Sequence, residues 1–411
     1  MVKIKTYPNG LRLAVKRVDG VFSVSAGVLV GAGSRYETPE NNGISHFIEH
    51  MTFKGTAKRS AFEISDAIDS IGGQINAFTT KETTCYYVKS TAEHIGKAVE
   101  VLSDIFFNST YDEAETEKEK GVVIEEINMN EDTPDDLCMD LLAEAHFGKT
   151  GLGATILGPE ENVRSFTAAD MRAYTDKYYL PENVVVCFSG NVTFEEAEAL
   201  ADEYFAGNFK SAGKFFREEK ACRPLYGSIA KNKDIEQAHV CLAYDGCAYD
   251  DDKSDYFMFL NVALGGGMSS RLFQKVREEL GLAYSVFSYN SSYRDCGTLC
   301  VYAGVNPKKT DTALNCIFGE IADFKRTGLT EKEFLRAKEQ IKGSFIFSQE
   351  SNASQMLLYS KYLLFTGKAF DFEKKLADIN AVTLSGLNAF IRDELDLEKH
   401  SFSIVSKDAK K

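Results

Sequence analysis

The sequence predicts an α+β fold built as two homologous domains. Three observations carry that prediction. The chain has 411 residues and is 44% hydrophobic, which leaves room for about two domains with full cores. Runs with a two-residue apolar period, such as Phe22, Val24, Ala26, Val28 and Val30, alternate along it with stripes at helical spacing. The chain also repeats itself: SAFEISDAIDSIGGQINAFTT is matched in pattern, 209 residues on, by SSRLFQKVREELGLAYSVFSYN, each a helix ending in glycine and then a strand. The expected divisions are an N-terminal domain over 1–208, a polar Lys/Arg-containing linker over 209–236 and a C-terminal domain over 237–411.

Composition removes several functions. A net charge of −14 lacks the basic footprint that nucleic acid requires. Nine cysteines with no C-x-x-C pair read as reduced core thiols, not as a disulfide framework or a thiolate metal site. No run approaches the roughly 18 apolar residues of a bilayer span, and MVKIKTYPNGLRLAVKRV goes directly into strand-like alternation with no leader pattern. The expectation is a cytoplasmic protein that does not enter membranes.

Phe22 to Val30 predicts a half-buried strand ending at Gly31-Ala32-Gly33-Ser34. No third glycine follows and no helix opens at once, so this is not a dinucleotide-binding turn. The next helix is the informative one. In NNGISHFIEHMTFKG, Ile44, Phe47, Ile48 and Met51 form an apolar stripe, Asn42 is placed to cap the start and Gly55 to mark the end. His46 and His50, four apart, share one face and can offer two imidazoles to one metal ion. Glu49 then stands beside that ion, free to polarise a water. The pattern is H-x-x-E-H, the inverted zincin motif.

Ser60 and Glu63 form a capping box, and Ala61, Ile64, Ile68 and Ile71 line one helical face up to Gly72-Gly73. Two strands follow, GQINAFTT and TCYYVKST. Ile75 to Thr80 reads equally as an edge strand open to an extended peptide or as an ordinary hairpin strand. From about Asp112 a long acidic helix runs into VVIEEINMNEDTPDD. Glu119 and Glu126, two turns apart, face the same way. One could bind metal while the other orients a ligand, or both could be solvated surface carboxylates.

HFIEHMTFKGT, GGQINAFTTKETTCYY and EKGVVIEEINMNEDTP resemble the pitrilysin or insulinase-type metallopeptidases, in the branch that includes the mitochondrial processing peptidase subunits, and the resemblance extends over nearly the whole chain. It implies a third ligand 76 residues beyond His50, which is Glu126 and not its neighbour Glu125, with Glu119 as the supporting carboxylate. It implies one zinc per chain, although such ligands accept other divalent metals, and Glu49 as general base. Asn76, Ala77 and Phe78 match the family's NAF segment, which aligns the peptide. Arg277 and Tyr284, in VREELGLAYSVFS, match a pair that contacts substrate or oxyanion.

By the same resemblance, each domain is a mainly antiparallel sheet packed on helices, and the two together form half of a clamshell chamber. A second subunit then supplies the other half, in a homodimer whose sites are completed in trans or in a heterodimer with a non-catalytic relative. The C-terminal copy is degenerate: Asp255-Tyr256-Phe257-Met258-Phe259 occupies the HFIEH positions, and TEKEFLRAKEQ puts Gln340 where TEKEKGVVIEE has Glu126. One departure is FGKTGLGATILG, where the family has a His-Pro-Leu-Gly-like turn, with His146 nearby. The implied function is zinc-dependent cleavage of unfolded peptides or leader-like segments. The alternative is a non-catalytic member serving as a peptide-binding or structural subunit, which the intact set His46, Glu49, His50 and Glu126 disfavours.

Overall fold

Strand-forming runs from both ends of the first half assemble one sheet. The computed structural model describes residues 2–209, 215 and 222–409; the expected linker lies partly outside the described residues. The strands are β1 (Lys3–Thr6), β2 (Arg12–Arg17), β3 (Ser23–Val30), β4 (Gln74–Thr79), β5 (Thr84–Thr91) and β6 (Val184–Gly190), in the order β1-β2-β6-β3-β5-β4. Only the β2–β6 pairing is parallel. Three helices, α1 (Ile44–Thr52), α2 (Ala61–Asp69) and α3 (Ile95–Asn108), bury Phe47, Ile48, Ile64, Ile68, Leu102 and Ile105 in one core with Val24, Val28, Tyr86 and Phe188 of the sheet. The long helix α4 (Glu113–Glu131) and then α5 (Pro134–Phe147) follow.

The second sheet repeats the connectivity of β2-β6-β3-β5-β4, with no counterpart of β1 among the described residues. Its strands are β7 (Ser228–Asn232), β8 (Ala238–Asp245), β9 (Ala283–Ser292), β10 (Gly297–Val305) and β11 (His400–Ser406), ordered β7-β11-β8-β10-β9. Again one pair is parallel, β7 with β11, and the rest antiparallel. The expected α+β class, with two largely antiparallel sheets packed by helices, is what the chain adopts.

One expectation fails instructively. Strand β3 is not half-buried: every residue from Val24 to Val30 is buried. Its second face, with Leu29 and the neighbouring Ala14, Cys85, Val185 and Cys187, is covered by Met356, Tyr359, Leu363 and Leu364 of the helix Asn352–Thr366. The approach is close, since a Cβ on Gly27 would fall 2.5 Å from the Met356 sulfur. In the other sheet, Cys241, Ala243, Cys300, Tyr302 and Val405 are covered in the same way by Leu137, Cys138 and Leu142 of α5.

Each half of the sequence therefore lends a helix to the other half's sheet. The compact units are 1–127 with 155–219 and 347–371, and 128–154 with 220–346 and 372–411. Spatial units and sequence repeats are different divisions of this chain. Among the described residues no helix is long and apolar enough to cross a membrane.

Met356 is fully buried, so Met356→Ala is expected to cost about 2–5 kcal/mol, read as a lower denaturant midpoint at unchanged slope. A loss under about 1 kcal/mol would mean that the lent helix is only a loose cover.

Candidate metal centre

The metal helix begins in an unusual way. Gly43, at its N-cap, has φ +100, and a Cβ there would meet the Leu157 carbonyl oxygen at 2.5 Å. The position requires glycine, which has no side chain to cap the first turn. Asn42 does not cap it either, contrary to expectation: its amide donates to Glu37 Oε2 (2.8 Å) and to the Thr155 carbonyl (2.9 Å). Glu37 is the cap. Its carboxylate accepts the Gly43 N–H on Oε2 and the Ser45 N–H on Oε1, both at 2.8 Å. The helix stops at Thr52, and the chain turns away at Gly55, where φ is +133.

One turn apart on α1, the rings of His46 and His50 lie 4.6 Å between centroids. Opposite them, α4 presents Glu126, whose Oε2 is 3.4 Å from His50 Nε2 and 3.7 Å from His46 Nε2. One ligand atom from each of the three residues lies within 4.8 Å of the others, the one such group among the described residues. Tetrahedral zinc with bonds of about 2.0–2.1 Å separates its ligands by about 3.4 Å. The carboxylate-to-imidazole spacings match that edge, and two imidazoles with a carboxylate are a donor set zinc accepts. Glu125, next to Glu126, faces solvent.

Two turns back along α4, Glu119 is buried and its Oε1 meets His50 Nδ1 at 2.8 Å. Its other oxygen takes Lys54 Nζ at 2.6 Å. Burial opposes a charge on Glu119, but His50 and Lys54 together hold its carboxyl below the usual range. Glu126 is held below it as well, chiefly by its bond to His50. Burial favours neutral imidazole at both histidines. At His46 it prevails, assisted by charge on His50, and the pKa falls. At His50 the two carboxylates overcome it, raising the pKa to about 9. The two rings differ in another way, since His46 Nδ1 is buried and has no hydrogen-bond partner among the described residues.

Glu49 sits on the same helix, and its Oε2 accepts from Thr79 Oγ1 at 2.6 Å. Burial pushes its carboxyl up, against the pull of that hydrogen bond. Of the other sequence-predicted residues, Asn76, Ala77 and Phe78 lie on β4, which is an edge strand paired only with β5. Asn76 is exposed, and its Oδ1 accepts the N–H of Ala77 at 2.8 Å. Arg277 and Tyr284 belong to the second unit. The Arg277 guanidinium lies 4.7 Å over the Phe273 ring and 4.8 Å over Tyr284. Both line a cavity of about 600 Å³ with Glu236, Gln237, Glu278 and Asn306. His146 is fully buried in the same unit, with Nδ1 against Ser401 Oγ at 2.9 Å, and is no part of the metal group.

Sequence reasoning missed Lys54, Thr79 and Glu37. Lys54 lies just past the end of α1, so helical spacing from His50 does not place it. Thr79 and Glu37 come from elements whose approach to α1 has no local signature.

Comparison with known proteins places this constellation. A model described as Insulinase (Peptidase family M16) matches residues 13–160, and one described as Peptidase M16 inactive domain matches 165–341. A Bacillus subtilis protein named "Uncharacterized zinc protease YmxG" is 44% identical over 408 residues, covering 99% of this chain and 98% of the relative. The chain belongs to peptidase family M16. Another relative, an uncharacterized zinc protease of Streptomyces coelicolor, is 39% identical and covers 98% of this chain and 89% of its own. Two crystal structures share the M16 fold. One, a peptidase M16 inactive domain from Pseudomonas fluorescens, has a TM-score of 0.93 at 18% identity, covering 99% of this chain and 98% of that one. The other, a protease from Helicobacter pylori, has 0.89 at 22% identity, with 99% of each chain covered. The M16 match that is not termed inactive covers the half with His46, His50 and Glu126; the inactive-domain match covers the repeat in which those positions are replaced.

Glu119→Gln removes an anionic acceptor from His50 and leaves Lys54 without its partner. It is expected to weaken zinc binding ~10–100-fold in a competition titration against a chromophoric chelator. Unchanged affinity would reduce Glu119 to a bystander.

Proposed function

We propose that this chain is a zinc-dependent endopeptidase of the inverted His-x-x-Glu-His type, holding one zinc ion through His46, His50 and Glu126. The observation that carries the reading is the convergence of those three donors within 4.8 Å of one another, Glu126 Oε2 lying 3.4 and 3.7 Å from the two imidazole nitrogens, with an additional carboxylate, Glu49, alongside. When bound, zinc supplies Lewis acidity, lowering the pKa of water and polarising a peptide carbonyl.

The chain's own residues do the rest. Thr79 pins Glu49 Oε2, while Oε1 makes no hydrogen bond among the described residues. One oxygen is thus fixed and the other is free to take a proton from the attacking water and pass it to the leaving amine. Burial raises the Glu49 pKa toward the working range, where giving and taking a proton are more evenly balanced. An extended peptide adds to the free edge of β4 by backbone hydrogen bonds, aligned by Asn76, Ala77 and Phe78. Because the Ala77 N–H donates to Asn76 Oδ1, a substrate that takes this N–H has to displace the Asn76 side chain.

Arg277 and Tyr284 supply a guanidinium and a phenol for the peptide carbonyl or the oxyanion. Tyr284 is 76% exposed and stacked under Arg277, a pair held ready and facing outward. In this reading they serve the metal site of a second copy, so that two chains, each half of a clamshell chamber, make a homodimer that admits unfolded peptides or leader-like segments. The same reading puts the chain in the branch of the mitochondrial processing peptidase subunits and in the cytoplasm, a compartment suited to its nine free thiols.

Elemental analysis with a quenched fluorogenic peptide mixture tests the chemistry. About one zinc per chain is expected in wild type and Glu49→Gln alike, with cleavage lost ~10²–10⁴-fold in the variant, and abolished in wild type by a chelator until zinc is returned. A wild type that takes up no divalent metal would sink the catalytic reading in favour of a peptide-binding subunit.

Completion in trans has its own test. Glu49→Gln and Arg277→Ala, each inactive alone, are expected to regain about a quarter of the wild-type activity when mixed and allowed to exchange subunits. No recovery despite exchange would show that the pair does not act across a homodimer.

A further inference from the structure

The two histidine ligands are not held alike. His50 is oriented at its ring, because Glu119 binds Nδ1 at 2.8 Å and fixes which nitrogen faces Glu126. The His46 ring has no such partner among the described residues, where its Nδ1 is buried and unbonded. Apart from the 3.7 Å approach of its Nε2 to Glu126, the direction of His46 is therefore set by its backbone and by packing.

That backbone is clamped immediately upstream. Glu37 accepts the N–H of Ser45, the residue before His46, and of Gly43, two further back, each at 2.8 Å. The Ser45 hydroxyl is tied to the Tyr174 phenol at 2.8 Å, and the amide of Asn42 closes on Glu37 Oε2 at 2.8 Å. Glu37 is 8% exposed, and among the described residues no cationic side chain pairs with it. A buried carboxylate whose partners are backbone N–H groups at a helix start is held by the unpaired donors of that first turn and by the helix dipole. Gly43 cannot supply this cap itself, for the steric reason given above, so an acid nine residues before the first ligand does so.

We propose that Glu37 is the positioning residue for His46, acting through the first turn of α1 as Glu119 acts on His50 through its ring. The assignment rests on the zinc-site reading. Glu37 touches neither metal nor substrate, and it fixes where the helix starts and hence where the first imidazole points. Replacing one of its oxygens by an amide leaves one acceptor and turns an NH₂ toward a backbone N–H, which opens the clamp at one of its two points.

The test is Glu37→Gln, with thermal melting to confirm folding, zinc affinity by chelator competition, and the visible absorption of the cobalt-substituted protein. The expected result is a folded variant with ~10–100-fold weaker zinc binding and an altered cobalt spectrum, its kcat for a fluorogenic peptide reduced and KM near wild type. A lower Tm with wild-type metal affinity and spectrum would make Glu37 an ordinary helix cap and overturn the proposal. If the wild type binds neither zinc nor cobalt, the zinc-site reading falls, and this assignment with it. Should Glu37→Gln not fold, Glu37→Asp is read in the same way. Its side chain keeps the charge but is one methylene too short for both N–H groups, so weaker metal binding supports the assignment and wild-type binding overturns it.

Discussion

His50 is gripped at both ring nitrogens by one helix. Glu119 reaches Nδ1 and Glu126 reaches Nε2, and the seven-residue interval between them is what turns both toward α1. A proton held on Nδ1 toward Glu119 is the arrangement that a metal ligand at Nε2 needs. The register of α4 is therefore not free. A rotation of one residue, about 100°, would put Glu125 or Ile127 at the site and disconnect Glu119 from Lys54 as well.

The three carboxylates that face the histidines divide into two that are compensated by cationic partners and one, Glu49, that is not. Glu119 has His50 and Lys54, and Glu126 has the two imidazoles; both are held below the usual carboxylate range. Glu49 has a single neutral donor, Thr79, and burial raises it. Groups pushed apart in this way acquire different work. The compensated pair stays ionised and structural to the site, while the uncompensated one is able to change protonation. The environment makes that assignment, since the three side chains are chemically identical.

Much of this was legible in sequence because it is written at helical spacing. His46 and His50 at four residues, Glu119 and Glu126 at seven, and a strand following a glycine-ended helix are local patterns, and each survives in the structure where the pattern puts it. What was not legible depends on partners distant along the chain. Asn42 had the composition of a cap, but the steric demand at Gly43 comes from Leu157, and the capping acid comes from an upstream loop. β3 had the alternation of a half-buried strand, yet a helix more than 300 residues later covers its second face. Periodicity reports what one face of an element wants; it is silent on whether the other face is also covered.

The internal repeat bears on what the metal group is for. The helix Ser254–Leu264 follows β8 as α1 follows β3, and its start takes the place of the His-x-x-Glu-His residues. There Asp255 pairs with Lys375 at 2.6 Å, Tyr256 stacks on Phe390 at 5.1 Å and Phe257 meets the edge of the same ring at 5.0 Å. One ion pair and an aromatic cluster suffice to anchor that helix on a sheet of the same topology. The architecture thus closes without two imidazoles and a carboxylate in this position, and their desolvation in the first unit is a cost the fold does not require. Groups that a fold can do without, kept together at coordination distance, are held there by their chemistry.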